Sequence, residues 1–260
     1  MTTATIEQIY RHASVRAFTP DPVPAELVET VVAAAQRSST SSNLQMWTAV
    51  AVTAAAARAR LAELTGQKHA GRAPVILVWC ADLRRLDRVC ELRGYRQVTE
   101  YVENLLLAAL DAVIAAQTAA LAAESLGLGI CYLGSIRNEP REVIDLLELP
   151  RLVFPIAGMT LGWPAARPPI RPRLPLRAVL HWERYGAVAE DEALHEYDRA
   201  MIDTGIYAGR QVPLPGAEGA GHEPLPASDY GWLEHSARRA SQPWRTELRA
   251  ALREQGFELK

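Results

Sequence analysis

Lysine is almost missing from this chain. Lys68 and Lys260 are the only two among 260 residues, and arginine carries the rest of the positive charge. The formal net charge is −2, so the basic surplus that nucleic acid or an anionic membrane demands of a main partner is absent. Cysteine is scarce as well. Cys80, Cys90 and Cys131 form no CxxC pair and no metal-ligand spacing, which fits unpaired thiols in a reducing cytoplasm. The common catalytic signatures are also missing: no GxSxG, no HExxH, no Walker sequence, and no third glycine after Gly127-x-Gly129. His195 and His222 each precede a glutamate but lack a second histidine four residues on, and the six dispersed histidines read as surface or core residues. Metal and hydrolase chemistries are left without support. Met1 to Arg11 has no signal-peptide architecture. The apolar stretch Leu105 to Ile136 is interrupted by Asp111, Glu124 and several glycines, and its charge-free runs fall short of the roughly 18–20 residues of a membrane span. A soluble, cytoplasmic protein is expected.

What is present is ample core. Hydrophobic residues make up 49% of the chain, enough for one large domain or two small ones. Helical periodicity marks Thr5 to His12, Ala25 to Arg37, Ala54 to Thr65, Pro140 to Leu147 and Glu190 to Asp203. Short β-branched or apolar runs mark strands at Met46 to Thr53, Pro74 to Ala81, Ile130 to Leu133 and Leu152 to Leu161, with Pro74 to Ala81 apolar on both faces as a central strand should be. Val98 to Leu126 is so rich in Ala and Leu that it predicts a helix buried on all sides. Strands separated by helices predict a sheet sandwiched by helices, α/β or α+β. After about residue 180 the character changes. Gly205 to Gly231 is rich in Gly and Pro and reads as a lid or binding loop, and Trp232 to Gln255 reads as a final helix that docks on a partner subunit.

Five polar clusters stand out. Arg171-Pro172-Arg173 lies among prolines at 168, 169, 172 and 175, which fix φ and remove backbone donors. The segment is either a stiff arm presenting two forked cations to a phosphate or a proline-rich surface loop with solvated arginines. The other four are His12-Ala13-Ser14-Val15-Arg16, the loop Ser38 to Asn43 with Leu44-Gln45, Gly66-Gln67-Lys68-His69, and Gly127-Leu128-Gly129 with Tyr132 to Asn138. Together they offer cations, hydroxyls, amides and backbone N–H groups but no obvious acid–base pair. That inventory suits a large, planar, phosphate-bearing cofactor that does the chemistry itself.

These clusters, in this order, resemble the FMN-dependent nitroreductase family, and most of all its oxygen-insensitive NADPH nitroreductases and NADPH–flavin oxidoreductases. Leu161-Gly162-Trp163-Pro164 and the Arg-Pro-Arg-Leu-Pro tail belong to the same pattern. The resemblance implies a homodimeric α+β fold: a mixed sheet wrapped by helices, extended segments exchanged between subunits, and two FMN sites at the interface. It places an FMN-binding core in residues 1–190 and a C-terminal excursion near the NAD(P)H or substrate site in residues 191–260. Carried over by position, His12, Ser14 and Arg16 contact the flavin, Arg171 and Arg173 clamp its phosphate, and Thr40, Ser42 and Gln67 hydrogen-bond the ring or ribityl chain. Tyr132, Leu133, Gly134 and Ser135 pass the ring. The implied reaction is ping-pong: hydride passes from NADPH, or NADH, through FMN to a nitroaromatic, a quinone or free flavin, and no side chain is catalytic. Ala13 replaces a usual basic residue and Arg171 a usual lysine. Trp47 either lines the site or fills the core. The 2′-phosphate of NADPH has Arg210 as its first candidate and the helix-borne Arg238, Arg239 and Arg245 as alternatives. A flavin-dependent dehalogenase or other specialised reductase is the alternative within the fold, and a non-catalytic flavin carrier or sensor the alternative outside enzymology.

Overall fold

Val75–Asp82 has no exposed residue, and it forms β2, the inner strand on which the fold is built. In this computed structural model, which describes residues 2–186, 189–214 and 225–260, β2 lies between β1 (Trp47–Val52) and β4 (Val153–Gly162). β3 (Gly129–Leu133) closes the far edge, in the order β1-β2-β4-β3. All three pairings are antiparallel, so the α+β class is as expected, but the mixed sheet finds no parallel pair among the described residues of one chain. The register slips between Trp79 and Cys80, opposite the stretch of β4 that contains Pro155. Proline cannot donate to the ladder, and a bulge absorbs the missing bond.

Successive residues of β2 point to opposite faces. Val75, Leu77 and Trp79 pack with α2 (Ala25–Ala35) and α5 (Val102–Ser125). Ile76, Val78 and Cys80 pack with α3 (Ala55–Thr65), α6 (Pro140–Leu146) and the turn after β3. The result is three layers, helix on sheet on helix. The buried face of α5 is almost pure alanine (108, 112, 115, 116, 119, 120, 123), which lets the helix axis come close to the sheet. Its other face is not buried. Val102, Leu106, Leu110, Val113 and Ile114 are 43–51% exposed, so the expected burial on all sides fails within one chain. By length and composition alone α5 matches a membrane span, with 24 residues and a mean hydropathy of 1.9. Here its alanine face is spent on the sheet.

Backbone contacts divide the chain into two units, residues 1–168 with 245–260, and residues 169–244. The first also holds α1 (Ala4–Tyr10), α4 (Arg84–Leu92) and α9 (Leu248–Glu254), the last seating Leu252 and the following Phe257 against Phe154 and Leu83. The second is built on α7 (Glu190–Asp203) and α8 (Trp232–Ala240). Tyr197 meets Trp232 edge-on at 5.2 Å, and Asp198 Oδ1 accepts the Leu233 N–H at 2.7 Å. A Cβ on Gly231 would lie 2.2 Å from that oxygen, so glycine is what lets α8 start here. The single helix expected over Trp232 to Gln255 is in fact two. Pro243 lacks the N–H that would continue α8, and Arg245 sits at φ 52°, outside the helical region. The Gly205 to Gly231 stretch carries no helix or strand in its described part, and its residues 215–224 lie outside the described residues.

Candidate cofactor-binding site

The segment after α1 is seated by a missing side chain. Val15 donates its N–H to Ile130 O at 2.8 Å, and its side chain occupies the place where a Cβ on Gly129 would stand, 2.7–3.0 Å away. A second glycine repeats the device. A Cβ on Gly162 would meet Pro74 at 2.5 Å and Phe18 at 2.9 Å, and Phe18 bridges to Pro164 beside it. His12 to Phe18 therefore runs along the start of β3 and the finish of β4, held by close backbone approach.

At one end of this segment His12 Nδ1 meets Glu124 Oε1 at 2.5 Å, near the C-terminal end of α5. The bond leaves Nε2 as the imidazole's free ring nitrogen. Further along, Ser14 and Arg16 make no side-chain hydrogen bond among the described residues. Gly66 ends α3 in the left-handed conformation (φ 64°), and the chain then delivers Gln67, Lys68 and His69. His69 feels the Arg16 charge. Burial first and that charge second hold its imidazole below the usual range. Its Nε2 is buried without a partner. Gln67 likewise makes no side-chain hydrogen bond among the described residues. Of these candidates the structure brings Arg16 within reach of His69, and His12, Ser14, Gln67 and His69 keep ring nitrogens, a hydroxyl and an amide unspent among the described residues.

Thr40 and Ser42 are elsewhere. Their loop precedes β1, the opposite edge strand from β3, and is tied to α5 at Asp111. Asp111 and Glu124 are thirteen residues apart, about 20 Å along a helix axis. The structure does not bring Thr40 and Ser42 to His12 and Ser14 within one chain. The loop itself is contorted. Ser42, Asn43 and Gln45 all have left-handed φ (48°, 57°, 53°), each costing roughly 1–2 kcal/mol for a residue with a Cβ. Trp47, next along, is 8% exposed and lies 5.6 Å from the Trp79 ring, which settles it as core.

At the finish of β3, Tyr132 is half-buried and its hydroxyl approaches Gln117 Oε1 at 3.4 Å. Burial, then the Glu124 charge, push its phenol well above the usual range. Leu133 is buried against Gly158, while Gly134 and Ser135 open a short 3₁₀ turn. Arg137 in that turn donates to Ile156 O, and Arg245 Nε donates to Asn138 Oδ1 at 3.0 Å.

The remaining candidates belong to the second unit. Arg171 and Arg173 are exposed, and the Arg173 guanidinium folds back on its own arm, donating to the carbonyls of Arg171 (3.2 Å) and Pro172 (3.1 Å). Tyr207, within reach of the Arg171 charge, stacks on His235 at 4.4 Å. A cavity of about 480 Å³ is lined by Met201, Tyr207, Gly209, Gln211, Leu225 and Tyr230 among others, and exposed Arg210 falls between two of its lining residues. Gln211 closes its rim by bonding both the N–H and the C=O of Leu225. Arg238 is committed to Glu234 and Val212 O, and Arg239 lies over the Trp244 ring. Among the described residues no group of three His, Cys, Asp or Glu is placed to hold a metal ion.

Comparison with known proteins decides the family. The nitroreductase family model matches residues 9–68 and 62–163, and the model of the family's C-terminal domain matches residues 171–260. The chain belongs to the nitroreductase family. Among its relatives, an oxygen-insensitive NADPH nitroreductase of Salmonella typhimurium is 42% identical over 200 residues, covering 76% of this chain and 81% of the relative. An FMN reductase [NAD(P)H] of Bacillus subtilis is 39% identical over 204 residues, covering 76% and 81%. The solved NADPH:FMN oxidoreductase of Vibrio harveyi, complexed with NAD+, superimposes with a TM-score of 0.83 at 30% identity, covering 99% of this chain and 100% of that one.

Two residues are given no side-chain role in the sequence reading. Asp111 and Glu124 are named in it without a partner, yet each is bonded to a segment that carries candidate site residues. A readable signal exists. Carboxylates inside an alanine-rich helix are costly to bury unless partnered, so each points to a partner elsewhere in the chain.

Proposed function

We propose that this protein is an FMN-dependent NADPH oxidoreductase that acts on flat electron acceptors, works as a homodimer and resides in the cytoplasm. The observation that carries the reading is the patch around Val15 and Gly129. Arg16 and His69 lie within reach of each other, and with His12, Ser14 and Gln67 they offer hydrogen-bonding capacity that the described residues do not consume, which supports a shared cofactor site. Such a set of groups fits a phosphate-bearing, amide-rich ring system, and Gly129 and Gly162 let the segment that carries His12, Ser14 and Arg16 pack closely on the sheet. FMN, when bound, supplies two-electron transfer from NADPH to nitroaromatics, quinones or free flavin. The chain's own contributions are binding and orientation. Arg16, Arg171 and Arg173 offer positive charge to the phosphate and to the reduced ring, His12 is oriented through Glu124, and Gln67, Thr40 and Ser42 offer hydrogen bonds.

Two features of a single chain support the homodimer. The outer stripe of α5 is apolar and uncovered, and the Thr40 and Ser42 hydroxyls lie on the opposite sheet edge from His12 and Ser14. Two copies joined along α5 let each cofactor draw on both groups. For the second phosphate, Arg210 is the candidate in residues 191–260. Arg245 is the weaker one, since its Nε is already bonded to Asn138. NADPH is therefore the proposed donor and NADH the alternative.

Anaerobic mixing of the purified holoprotein with NADPH tests the function. Rapid bleaching of the yellow flavin band is expected, and a flavin-loaded protein that stays yellow with both NADPH and NADH overturns the reading in favour of a carrier. Arg173→Ala should purify with most of its FMN lost, and a normal flavin content would remove Arg173 from the clamp.

A further inference from the structure

Asp111 is the most deeply buried carboxylate among the described residues, at 1% exposure, in the middle of a helix whose neighbouring buried positions are alanine. Both of its oxygens are used. Oδ1 accepts the Ser41 N–H at 2.9 Å and Oδ2 the Met46 N–H at 3.0 Å. The two donors bracket the contorted loop, so one side chain fixes the distance between its ends and all three left-handed residues lie between the two bonds. The opposite side of the same loop is held by Arg85, which donates to Gln45 O (2.8 Å) and Trp47 O (3.1 Å), and by Asp82, whose N–H bonds Met46 O at 2.9 Å.

We propose that Asp111 is a positioning residue for the flavin, acting through the loop. By clamping Ser41 and Met46 it stores the strained conformation in which the Thr40 and Ser42 hydroxyls stay unspent and are ready for the cofactor. A neutral packing residue in the same place would fill the volume but leave the buried Met46 N–H and the partly buried Ser41 N–H unpaired and the loop free to relax. The choice of a carboxylate, costly to bury, is explained only if both donors must be held at once. This rests on the reading that Thr40 and Ser42 face FMN.

The test measures FMN affinity, from the quenching of flavin fluorescence on titrating apoprotein, in a double-mutant cycle. Asp111→Asn keeps the shape but turns an NH₂ toward one of the two N–H donors. It should weaken FMN binding by about 10-fold, the size expected for one unpaired buried donor. In the background of Thr40→Ala with Ser42→Ala, the same change should cost less than about 2-fold, because the groups it positions are gone. An equal loss in both backgrounds, or no loss in the first, overturns the proposal. Should Asp111→Asn not fold, hydrogen exchange in the wild-type apoprotein decides: the Ser41 and Met46 amides are to be protected before FMN is added, and free exchange until FMN binds sinks the idea. Failure of the wild-type protein to bind FMN would instead refute the functional reading on which it rests.

Discussion

At the scale of single residues, the polar groups of the patch are set by their surroundings rather than by their type. His69 is the clearest case. Burial and the Arg16 charge hold its imidazole below the usual range, while the unfolded chain titrates near 6.5. As pH falls through that value the unfolded state takes the proton first. Stability is therefore highest above about pH 6.5, declines as pH falls, and levels off below the folded-state value. His235 in the second unit is shifted the same way, by burial and Arg239. Denaturant midpoints of the apoprotein should drop between about pH 7 and 5, and His69→Asn should make that slope visibly shallower. An unchanged slope would show that the orphaned Nε2 is not titrating. The residue types of the patch are legible in the sequence, but the missing hydrogen-bond partner of His69 is not, because it depends on which elements close over the ring.

Among the elements, strands and most helices match their periodicity because one physical rule, burial of a face, both writes the pattern and builds the layer. β2 has no exposed residue as its two-sided apolarity predicts, and α6 and α7 begin where Pro140 and Glu190 predict. Two elements escape the rule. The sequence reading places no element between 83 and 97, yet α4 forms there. It is rich in arginine and buries no residue, so its narrow apolar stripe is easily lost. The break at 241–247 is missed because helical propensity on both sides masks Pro243. The site depends on element contacts of another kind, the backbone approaches at glycine. Gly129→Ala should push Val15 off β3, break the Val15 N–H to Ile130 O bond and reduce FMN content several-fold. Restoring space with Val15→Ala in the same chain should recover most of the flavin. If the double variant remains as flavin-poor as the single one, the close approach is not what seats the segment.

For the whole molecule, the uncovered stripe on α5 is the deciding feature. Isolated apolar residues on a surface are ordinary, but five at helical spacing on one helix support the proposed homodimer. Leu110→Glu places a charge in the middle of that stripe, where burial is costly. On the homodimer reading it should give a monomer in sedimentation at micromolar concentration and strip FMN together with the dimer. A stable, flavin-free dimer, or a monomer that keeps its flavin, would separate the two features linked here.

The sequence by itself determined the order of elements, the α+β class, the family and the identities of the polar side chains, because each is written in local spacing and in motifs read along the chain. Tertiary structure alone decided that the Thr40 and Ser42 loop precedes the opposite edge strand from the one beside the His12 and Ser14 segment, that α5 keeps one face open, and that Asp111 and Glu124 are bonded to the loop and to His12 rather than merely interrupting an apolar run. These are matters of which edges and faces meet across more than a hundred residues. No local periodicity records that, since the same alternation of apolar and polar residues is satisfied whichever partner the buried face finds.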